Sequence, residues 1–343
     1  PVFPNEPVIT IKAPIIEAQI IETAVLAHFN HGSLVSTATK RITNEAKGIP
    51  VMEFGARRAR GVDSAIEASK YAYIAGCCGT SNVYAAKKYD IPAMGTMAHS
   101  MIQAFDSEYE AFLAYAKSNP NNAVFFDDAG FHDATICLSN GLNEYTIRDF
   151  INKGAVIDSI GAGDNIAASK ERVGGVYKLV AIEKDGKIIP KVKVSGDTVK
   201  TTNPGYKKVY RFYDQDTHKV LGDVVAVHDE EISKNKYTLV SDRDPWKKTK
   251  LEDYYVRELQ IPIFVNGKQV YDEPDITARK RYCDEEFETL TDRITDVSNP
   301  HTYYVDLSEK EKELKEYMLY EATKKAAETA IENNGYAKTI GGK

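Results

Sequence analysis

The sequence predicts an α/β protein followed by a second, β-rich segment. Between residues 48 and 163, short apolar runs of strand length alternate with stretches of helical period, which is typical of folds built on parallel strands. Polar or glycine-rich loops follow these predicted strands. From about residue 180 onward, short strands separated by turns such as Lys184-Asp185-Gly186-Lys187 replace the alternation. We therefore expect two regions of different architecture.

The first half of the chain contains elements that their apolar periods define. Residues 1–11 alternate apolar and polar side chains and contain prolines, as an edge strand does. Residues 15–29 and 33–42 carry apolar side chains near the helical period. The α/β region then predicts, in order, strand 48–54, helix 63–72 capped by Asp63, strand 73–78, helix 83–89, strand 92–94, helix 101–117, strands 123–126 and 135–138, helix 143–153 and strand 156–160.

The second half contains weaker, shorter patterns. They predict strands 180–182, 191–194, 207–212 and 222–228, an irregular stretch 246–255, a hairpin over 261–271 turning at Asn266-Gly267, charged helices 276–290 and 308–330, and a frayed tail 332–343. Positive residues from Lys191 to Arg211 indicate a solvated sheet face or, alternatively, a phosphate-binding edge. The expected segments are 1–45, an entry strand and helices leading to an N-terminal domain that the sequence otherwise lacks; 46–180, the α/β region with the site loops; 181–275, β-rich; and 276–343, helical.

Composition excludes several classes of protein. The 343 residues include 44 Lys and Arg against 50 Asp and Glu, a net charge of −6, so binding of nucleic acid through bulk charge is not expected. The longest apolar runs, 72–78 and 220–227, are far shorter than the ~20 residues of a membrane helix, and no signal peptide is visible. The four cysteines form no CxxC pair, which favours a reducing, cytoplasmic setting. The chain opens without Met, as an internal piece of a longer protein would.

The segment EFGARRARG, residues 53–61, places an aromatic ring and three guanidinium groups at the end of a predicted strand. Arginine binds carboxylates and phosphates through paired hydrogen bonds, and a flat ring such as that of Phe54 suits a flat aromatic ligand. A charged aromatic acid would satisfy both. A solvated basic turn with Phe54 in the core is an equally good interpretation of these residues alone.

His99 lies in GTMAHSM, between a predicted strand and a helix. A histidine in such a loop can carry a proton or act as a nucleophile toward phosphorus, and a capping or packing role is the alternative. Gly161-Ala162-Gly163-Asp164, after another strand, can present backbone amides to an anion. No GxxxxGK[ST] motif occurs. Asp127 and Asp128, at a strand end, could ligate magnesium or simply lie at the surface.

Five segments, in this order along the chain, resemble the nicotinate phosphoribosyltransferase family. They are EFGARRARG, YIAGCCGTSNVYAAKKYDIPAMGTMAHSMIQAF, SNGLNEYTI, GGVYKLVAI and NPHTYYVDLS, and the pairing of GTSN with GTxAHS is the most specific. The resemblance implies an irregular α/β barrel of type II phosphoribosyltransferases with a second, β-containing domain, working as a homodimer. It also implies the reaction of nicotinate with 5-phosphoribosyl 1-pyrophosphate to give nicotinate mononucleotide and pyrophosphate in NAD biosynthesis, with Mg²⁺ and coupled ATP hydrolysis.

The resemblance also assigns roles to residues. It implies that His99 is the histidine that ATP phosphorylates, that Phe54 and Arg57 hold the pyridine ring and its carboxylate, and that Gly79, Thr80, Ser81 and Asn140 complete the substrate pocket. Gly161, Gly163 and Asp164 match the loop that cradles the ribose phosphate. A neutral Ser81, where related amide-using enzymes carry an acidic residue, favours an anionic substrate, because a carboxylate there would repel nicotinate.

The sequence departs from this family in three places. A family strand with an Ile-Arg-x-Asp-Ser-Gly-Asp type motif belongs between Asp128 and Ala129, which are joined directly here. The resemblance leads us to expect a further N-terminal region before Pro1, and Asp164 stands where the family usually has Thr. The alternatives are therefore a nicotinamide or quinolinate phosphoribosyltransferase and a catalytically dead, truncated paralogue that binds a nucleotide or a partner.

Overall fold

The computed structural model describes residues 1–96, 98–118, 135–194, 201–240 and 246–340. The predicted strand 123–126 and the candidate magnesium ligands Asp127 and Asp128 lie outside these residues. The described helices are α1 Ile15–Ile20, α2 Glu22–Glu45, α3 Val62–Ile74, α4 Val83–Tyr89, α5 His99–Gln103, α6 Glu108–Ser118, α7 Glu144–Asn152, α8 Asp164–Ala167, α9 Ile276–Glu288, α10 Asp292–Thr295 and α11 Glu309–Ile340, with a 3₁₀ turn at Ala56–Arg58.

The described strands form five separate sheets. They are β1 Val51–Glu53, β2 Gly79–Thr80, β3 Cys137–Ser139, β4 Ser159–Ala162, β5 Ala181–Lys184, β6 Lys187–Pro190, β7 Lys207–Asp214, β8 Val220–Val227, β9 Tyr237–Val240, β10 Lys248–Leu251, β11 Tyr254–Glu258, β12 Phe264–Val265, β13 Lys268–Gln269 and β14 Val305–Leu307.

The first sheet is parallel, with the order β2-β1-β4-β3. Glu53, the last residue of β1, pairs with Thr80 on one side and with Ala162 on the other, and a further parallel bridge joins Thr80 to Ala93. The predicted α/β class is confirmed. Among the described residues the sheet is open, and its strands end at one common edge.

The core of this region lies where α2, α3 and α7 pack together and against the strands. Its buried residues include Val35 and Ile42 of α2, Ala68 of α3, Ile147 of α7 and Ile160 of β4. The local sequence explains how two of the helices begin. Asn82 Oδ1 accepts from the Ala85 amide at 3.2 Å to cap α4, and Asn143 forms a capping box with Thr146 at α7.

The second sheet has the order β11-β7-β8-β14 and is antiparallel except for the β8–β14 pair. Phe212, Val224, Leu239 and Tyr254 form its core together with the antiparallel pair of β9 and β10. The expected basic face does not form on β7. Arg211 is 1% exposed and binds Asp223 through paired hydrogen bonds at 2.8 and 2.6 Å, because both side chains point into the interior and each charge needs the other.

Several expected elements are wrong. Residues 1–11 form no strand, because side chains hold this segment instead: the Phe3 ring stacks on Tyr303 with 3.6 Å between centroids, and Gln260 Nε2 donates to the Pro7 carbonyl at 2.6 Å. In the α/β region, strand 73–78 does not form because α3 continues to Ile74, and Asp63 lies inside α3, which starts after Gly61 with no side-chain cap. Segment 92–94 forms only a bridge at Ala93, helix 101–117 is divided into α5 and α6, and strand 156–160 is replaced by β4 at Ser159–Ala162.

In the second half, 191–194 is not a strand, and 246–255 contains β10 and the start of β11. Helix α11 runs through the expected tail to Ile340.

Among the described helices, none combines the length and the apolar composition that crossing a bilayer requires.

A buried ionisable cluster lies in the second region, where β7 begins and α11 begins. Glu311 is fully buried, and neither of its carboxylate oxygens has a hydrogen-bond partner. Burial raises the pKa of Glu311 to about 7, and the nearby Lys207 and Lys315 oppose that shift while Glu230 adds to it. The folded chain therefore holds a proton on this carboxyl at pH values at which the unfolded chain has released it.

Glu311→Gln is expected to change how stability depends on pH. The pKa of Glu311 is higher in the folded chain than in the unfolded chain, so deprotonating this carboxyl favours unfolding. The free energy of unfolding of the wild type therefore falls as the pH rises from about 4.5 to about 7. The variant lacks that loss, and its stability relative to wild type should rise by about 1–3 kcal/mol over this interval. Urea unfolding of both proteins at pH 5 and pH 7.5 measures this difference in the free energy of unfolding. The exposed Glu309→Gln is the control, and an equal difference at both pH values for Glu311→Gln would contradict the expectation.

Candidate active site

The site loops lie at the carboxyl edge of the parallel sheet. Five neighbouring segments reach this edge, in the order 92–94, β2, β1, β4 and β3. The residues that follow each of them are therefore neighbours. Adjacent strands lie about 5 Å apart. Phe54 follows the central strand, with Ser81 on one side and Gly163 on the other. Parallel strands with this topology place ligands at their carboxyl ends.

Phe54 covers the end of β4. A Cβ atom at Gly161 would lie 2.6 Å from Cε2 and 2.7 Å from Cδ2 of the Phe54 ring, so the ring lies directly over this glycine. A Cβ at Gly163 would lie 2.8 Å from the Phe54 carbonyl oxygen. The Phe54 amide also donates to the Ala162 carbonyl at 2.8 Å. The structure thus brings Phe54, Gly161 and Gly163 together, and both glycines are required by close packing.

The three arginines after Phe54 differ in their contacts. Arg57 lies in the 3₁₀ turn, is exposed, and forms no ion pair within the described chain. Arg58 Nε lies 3.1 Å from Oδ1 of Asp164, with both side chains about half exposed. This pair joins the loop after β1 to the loop after β4. It also offsets part of the negative charge of Asp164.

Gly79, Thr80 and Ser81 occupy different positions although they are consecutive. A Cβ at Gly79 would lie 2.6 Å from Sδ of Met94, so β2 packs tightly against segment 92–94. Thr80 is fully buried, and its hydroxyl donates to Glu53 Oε2 at 2.6 Å. Ser81 is exposed, and its amide donates to the Glu53 carbonyl at 3.0 Å. Of the three, only Ser81 presents its side chain to the edge.

Asn140 follows β3 and has a φ of 85°, the left-handed conformation that asparagine tolerates better than most residues. It is exposed at the far end of the sheet edge. Asn165, at the start of α8, donates from Nδ2 to the Leu142 carbonyl at 2.8 Å. This bond fixes the loop after β3 to the loop after β4, so Asn140 belongs to the same loop cluster as Gly163.

His99 is the first residue of α5, five residues after Met94. It is exposed, and within the described ranges no hydrogen bond or ion pair joins it to another residue. It therefore lies beyond the β2 side of the edge, whereas Asn140 lies on the β3 side. The structure therefore places His99 at the start of α5, near the same edge, and shows no contact of its ring with Phe54 or Ser81 among the described residues.

Two cysteines lie directly behind this edge. Burial raises the pKa of both Cys77 and Cys78, and Cys78 Sγ donates to the Val51 carbonyl at 3.2 Å. Both are therefore neutral thiols near pH 7, and thiolate chemistry is not expected here. In the part of the chain that the structure describes, no group of three or more His, Cys, Asp or Glu side chains is arranged to hold a metal ion.

A polar network that the sequence did not predict lies under the loops. Glu53 is 1% exposed and accepts hydrogen bonds from Thr80 and Ser69 and from the Gly55 amide. An acidic residue ending an otherwise apolar strand was a possible signal for it. Ser69 gave no such signal, because it lies in the middle of α3 on the same helix face as small apolar residues.

Comparisons with known proteins place this arrangement in a family. The nicotinate phosphoribosyltransferase (NAPRTase) family description matches residues 49–147, and the nicotinate phosphoribosyltransferase C-terminal domain matches residues 206–315. A nicotinate phosphoribosyltransferase of Bacillus subtilis is 33% identical over 365 residues, covering 90% of this chain and 73% of that protein. This chain belongs to the nicotinate phosphoribosyltransferase family.

Other members of the family support the assignment. A Mycobacterium tuberculosis nicotinate phosphoribosyltransferase is 29% identical, with 90% of this chain and 71% of that protein covered. The crystal structure of human nicotinic acid phosphoribosyltransferase superposes with a TM-score of 0.74 at 20% identity, covering 90% of this chain and 78% of that one. At that identity the superposition shows a shared fold.

Proposed function

We propose that the carboxyl edge of the parallel sheet is where this family member joins nicotinate to 5-phosphoribosyl 1-pyrophosphate, forming nicotinate mononucleotide and pyrophosphate. The observation that carries the proposal is the packing of the Phe54 ring on Gly161, with the exposed Arg57 three residues further along in the same loop. Among the described residues, Arg57 forms no ion pair. The ring supplies a flat apolar surface and the guanidinium a carboxylate partner, which are the two features of a pyridine carboxylic acid.

The neighbouring loops suit the second substrate. Gly163 is the residue before α8, and Arg58 Nε lies 3.1 Å from the Asp164 carboxylate. Three arginines between Arg57 and Arg60 make this part of the edge positive in an otherwise acidic chain. A phosphorylated sugar would be attracted to it. In our proposal its phosphate lies against the Gly161–Gly163 turn and its anomeric carbon faces Phe54.

The chemistry asks mainly for positioning. Departure of pyrophosphate from the ribose builds positive charge on the anomeric carbon, and the pyridine nitrogen then forms the new C–N bond. Nicotinate clamped by Phe54 and Arg57 would meet that carbon at a fixed distance, which removes the entropy cost of a bimolecular encounter. The arginines neutralise the leaving group as its charge grows.

Magnesium enters our proposal with the substrate. Mg²⁺ is commonly held by one or two carboxylates together with substrate phosphates, and Asp164 is an exposed carboxylate in the loop assigned to the phosphate. When bound, the ion would neutralise negative charge on the phosphates of the substrate.

We also propose that the chain works as a homodimer, as the family resemblance implies.

We further propose that His99 couples the reaction to ATP. The His99 imidazole is exposed and has no hydrogen-bond partner among the described residues, so it is open to attack the γ-phosphorus of ATP, forming an N–P bond as ADP leaves. His99→Ala should then lose the stimulation of the rate by ATP and retain the ATP-independent rate within about twofold. The measurement is nicotinate mononucleotide formation with and without ATP. His301→Ala, another exposed histidine, is the control, and full ATP stimulation in His99→Ala would remove His99 from this role.

The substrate assignment is tested by giving the chain nicotinate or nicotinamide. With 5-phosphoribosyl 1-pyrophosphate present, kcat/KM for pyrophosphate formation should be at least about 100-fold higher with nicotinate than with nicotinamide. The amide cannot pair with Arg57 through two charged contacts. ATP is varied in the same experiment. Preference for the amide would contradict the assignment, and no product from either substrate would favour a binding protein without catalysis.

A further inference from the structure

A single buried carboxylate lies beneath the two loops that our proposed function assigns to nicotinate. Glu53 is the last residue of the central strand and is 1% exposed. No lysine or arginine forms an ion pair with it in the described part of the chain. A carboxylate without a cation can remain buried only if hydrogen-bond donors satisfy its oxygens. Three donors do so, and each comes from a different element.

The first oxygen holds the loop that follows β1. Glu53 Oε1 accepts from the backbone amide of Gly55. Gly55 has no room for a side chain, because a Cβ there would lie 2.5 Å from the Gly163 carbonyl and 2.6 Å from Cβ of Ala167. The backbone at Gly55 is therefore closely packed between the Glu53 carboxylate and the loop that follows β4. Gly55 lies between Phe54 and Arg57, so this bond fixes the segment that carries both.

The second oxygen holds the loop that follows β2. Glu53 Oε2 accepts from the Thr80 hydroxyl at 2.6 Å and from the Ser69 hydroxyl at 3.0 Å. The Thr80 oxygen in turn accepts from the Asn82 amide at 3.0 Å. Ser81 lies between these two residues, and its amide donates to the Glu53 carbonyl. The carboxylate therefore acts on the Ser81 loop through Thr80, while the main-chain carbonyl of Glu53 holds the Ser81 amide directly. Ser69 ties the carboxylate to α3.

We propose that Glu53 is a positioning residue that fixes the distance between the Phe54–Arg57 loop and the Ser81 loop. The proposal rests on the proposed function, since those loops are the two walls of the nicotinate pocket. Glu53 lies behind them and acts through Gly55 and Thr80. A shift of about 1 Å in one wall is enough to cost a large factor in rate or binding.

Thr80 is the sharpest place to test this. Thr80→Val keeps the shape of the side chain and removes both the donor to Glu53 and the acceptor for Asn82, whereas Thr80→Ser keeps the hydroxyl. The Val variant should raise the KM for nicotinate about tenfold or more and the KM for 5-phosphoribosyl 1-pyrophosphate much less, and the Ser variant should restore wild-type KM within about twofold. Amide hydrogen exchange should quicken at Gly55 and Asn82 in the Val variant alone.

Glu53→Gln supplies a second, independent variant. Its amide nitrogen cannot accept the hydrogen bonds that Oε2 accepts, so Thr80 and Ser69 must turn their hydroxyl protons elsewhere while the side-chain volume stays the same. It should show the same split between the two KM values. Glu45→Gln, which replaces a carboxylate in α2 that is 6% exposed, controls for the loss of a buried charge and should leave both KM values unchanged.

The outcomes separate the two proposals. Unchanged KM for nicotinate in folded Thr80→Val, or an equal rise in both KM values together with a lower kcat, would overturn the positioning role and leave the proposed function standing. If Glu53→Gln fails to fold, the two Thr80 variants decide. A wild-type chain that forms no nicotinate mononucleotide would overturn the proposed function and this inference with it.

Discussion

Arg57→Ala is expected to raise the KM for nicotinate about 100-fold or more while leaving the unfolding midpoint of the chain unchanged. The large effect follows because a guanidinium paired with a carboxylate supplies two charge-assisted hydrogen bonds, and each is worth about 1.5–3 kcal/mol. Stability should not change, because Arg57 is exposed and forms no ion pair with the described residues. Steady-state kinetics with each substrate varied in turn, together with thermal unfolding, measures both.

Arg60→Ala is the matched control for Arg57→Ala. Arg60 is also exposed and lies three residues later in the same basic segment. General loss of positive charge would affect both variants equally and would act on the phosphorylated substrate. If Arg57→Ala keeps the wild-type KM for nicotinate, Arg57 does not bind the pyridine carboxylate.

Gly161→Ala should lower kcat/KM for nicotinate by about two orders of magnitude, because the new methyl group would displace the Phe54 ring. The added Cβ would lie 2.6 Å from Cε2 of that ring, closer than carbon atoms can approach. We expect overpacking to cost about 1–3 kcal/mol of stability as well. The rate effect follows from misplacing one wall of the pocket. Kinetics and urea unfolding on the same preparation measure the two effects.

Two further variants interpret the result for Gly161. Gly174→Ala adds a methyl group where no other heavy atom lies within 4 Å, so it should be neutral. Phe54→Ala combined with Gly161→Ala removes the clash and should recover stability without recovering the KM for nicotinate. A Gly161→Ala enzyme with normal kinetics would show that the Phe54 ring can leave this position without consequence, which would contradict its role as a pocket wall.

Much of the α/β region could be predicted from local patterns. Helix 83–89 and the hairpin turn at Asn266-Gly267 are confirmed because an asparagine cap and an Asn-Gly turn fix them within a few residues. The expected strand 73–78 is wrong: its apolar run belongs in part to α3, whose buried residues continue to Ala72 and whose helix ends at Ile74. Periodicity cannot separate a short buried strand from the end of a buried helix.

The candidate site was predictable only in part. Loops after parallel strands had to meet at one edge, and Phe54, Ser81 and Gly163 do follow adjacent strands. Their individual roles were harder to read. Arg58, and not Arg57, pairs with Asp164, and no spacing rule distinguishes two consecutive arginines. The Phe54 ring packs on Gly161, although the Gly-x-Gly pattern that begins at this residue predicted only an anion-binding loop.

By itself, the sequence determined the class of fold, the edge at which the loops gather, and a family, because periods, turns and motifs are properties of neighbouring residues. Only the tertiary structure decided that Thr80 faces inward and that Glu53 joins two loops and a helix. Those contacts link residues 16 and 27 positions apart, and whether such side chains meet depends on how helices pack on the sheet. A buried carboxylate is held in place by whichever donors that packing brings to it.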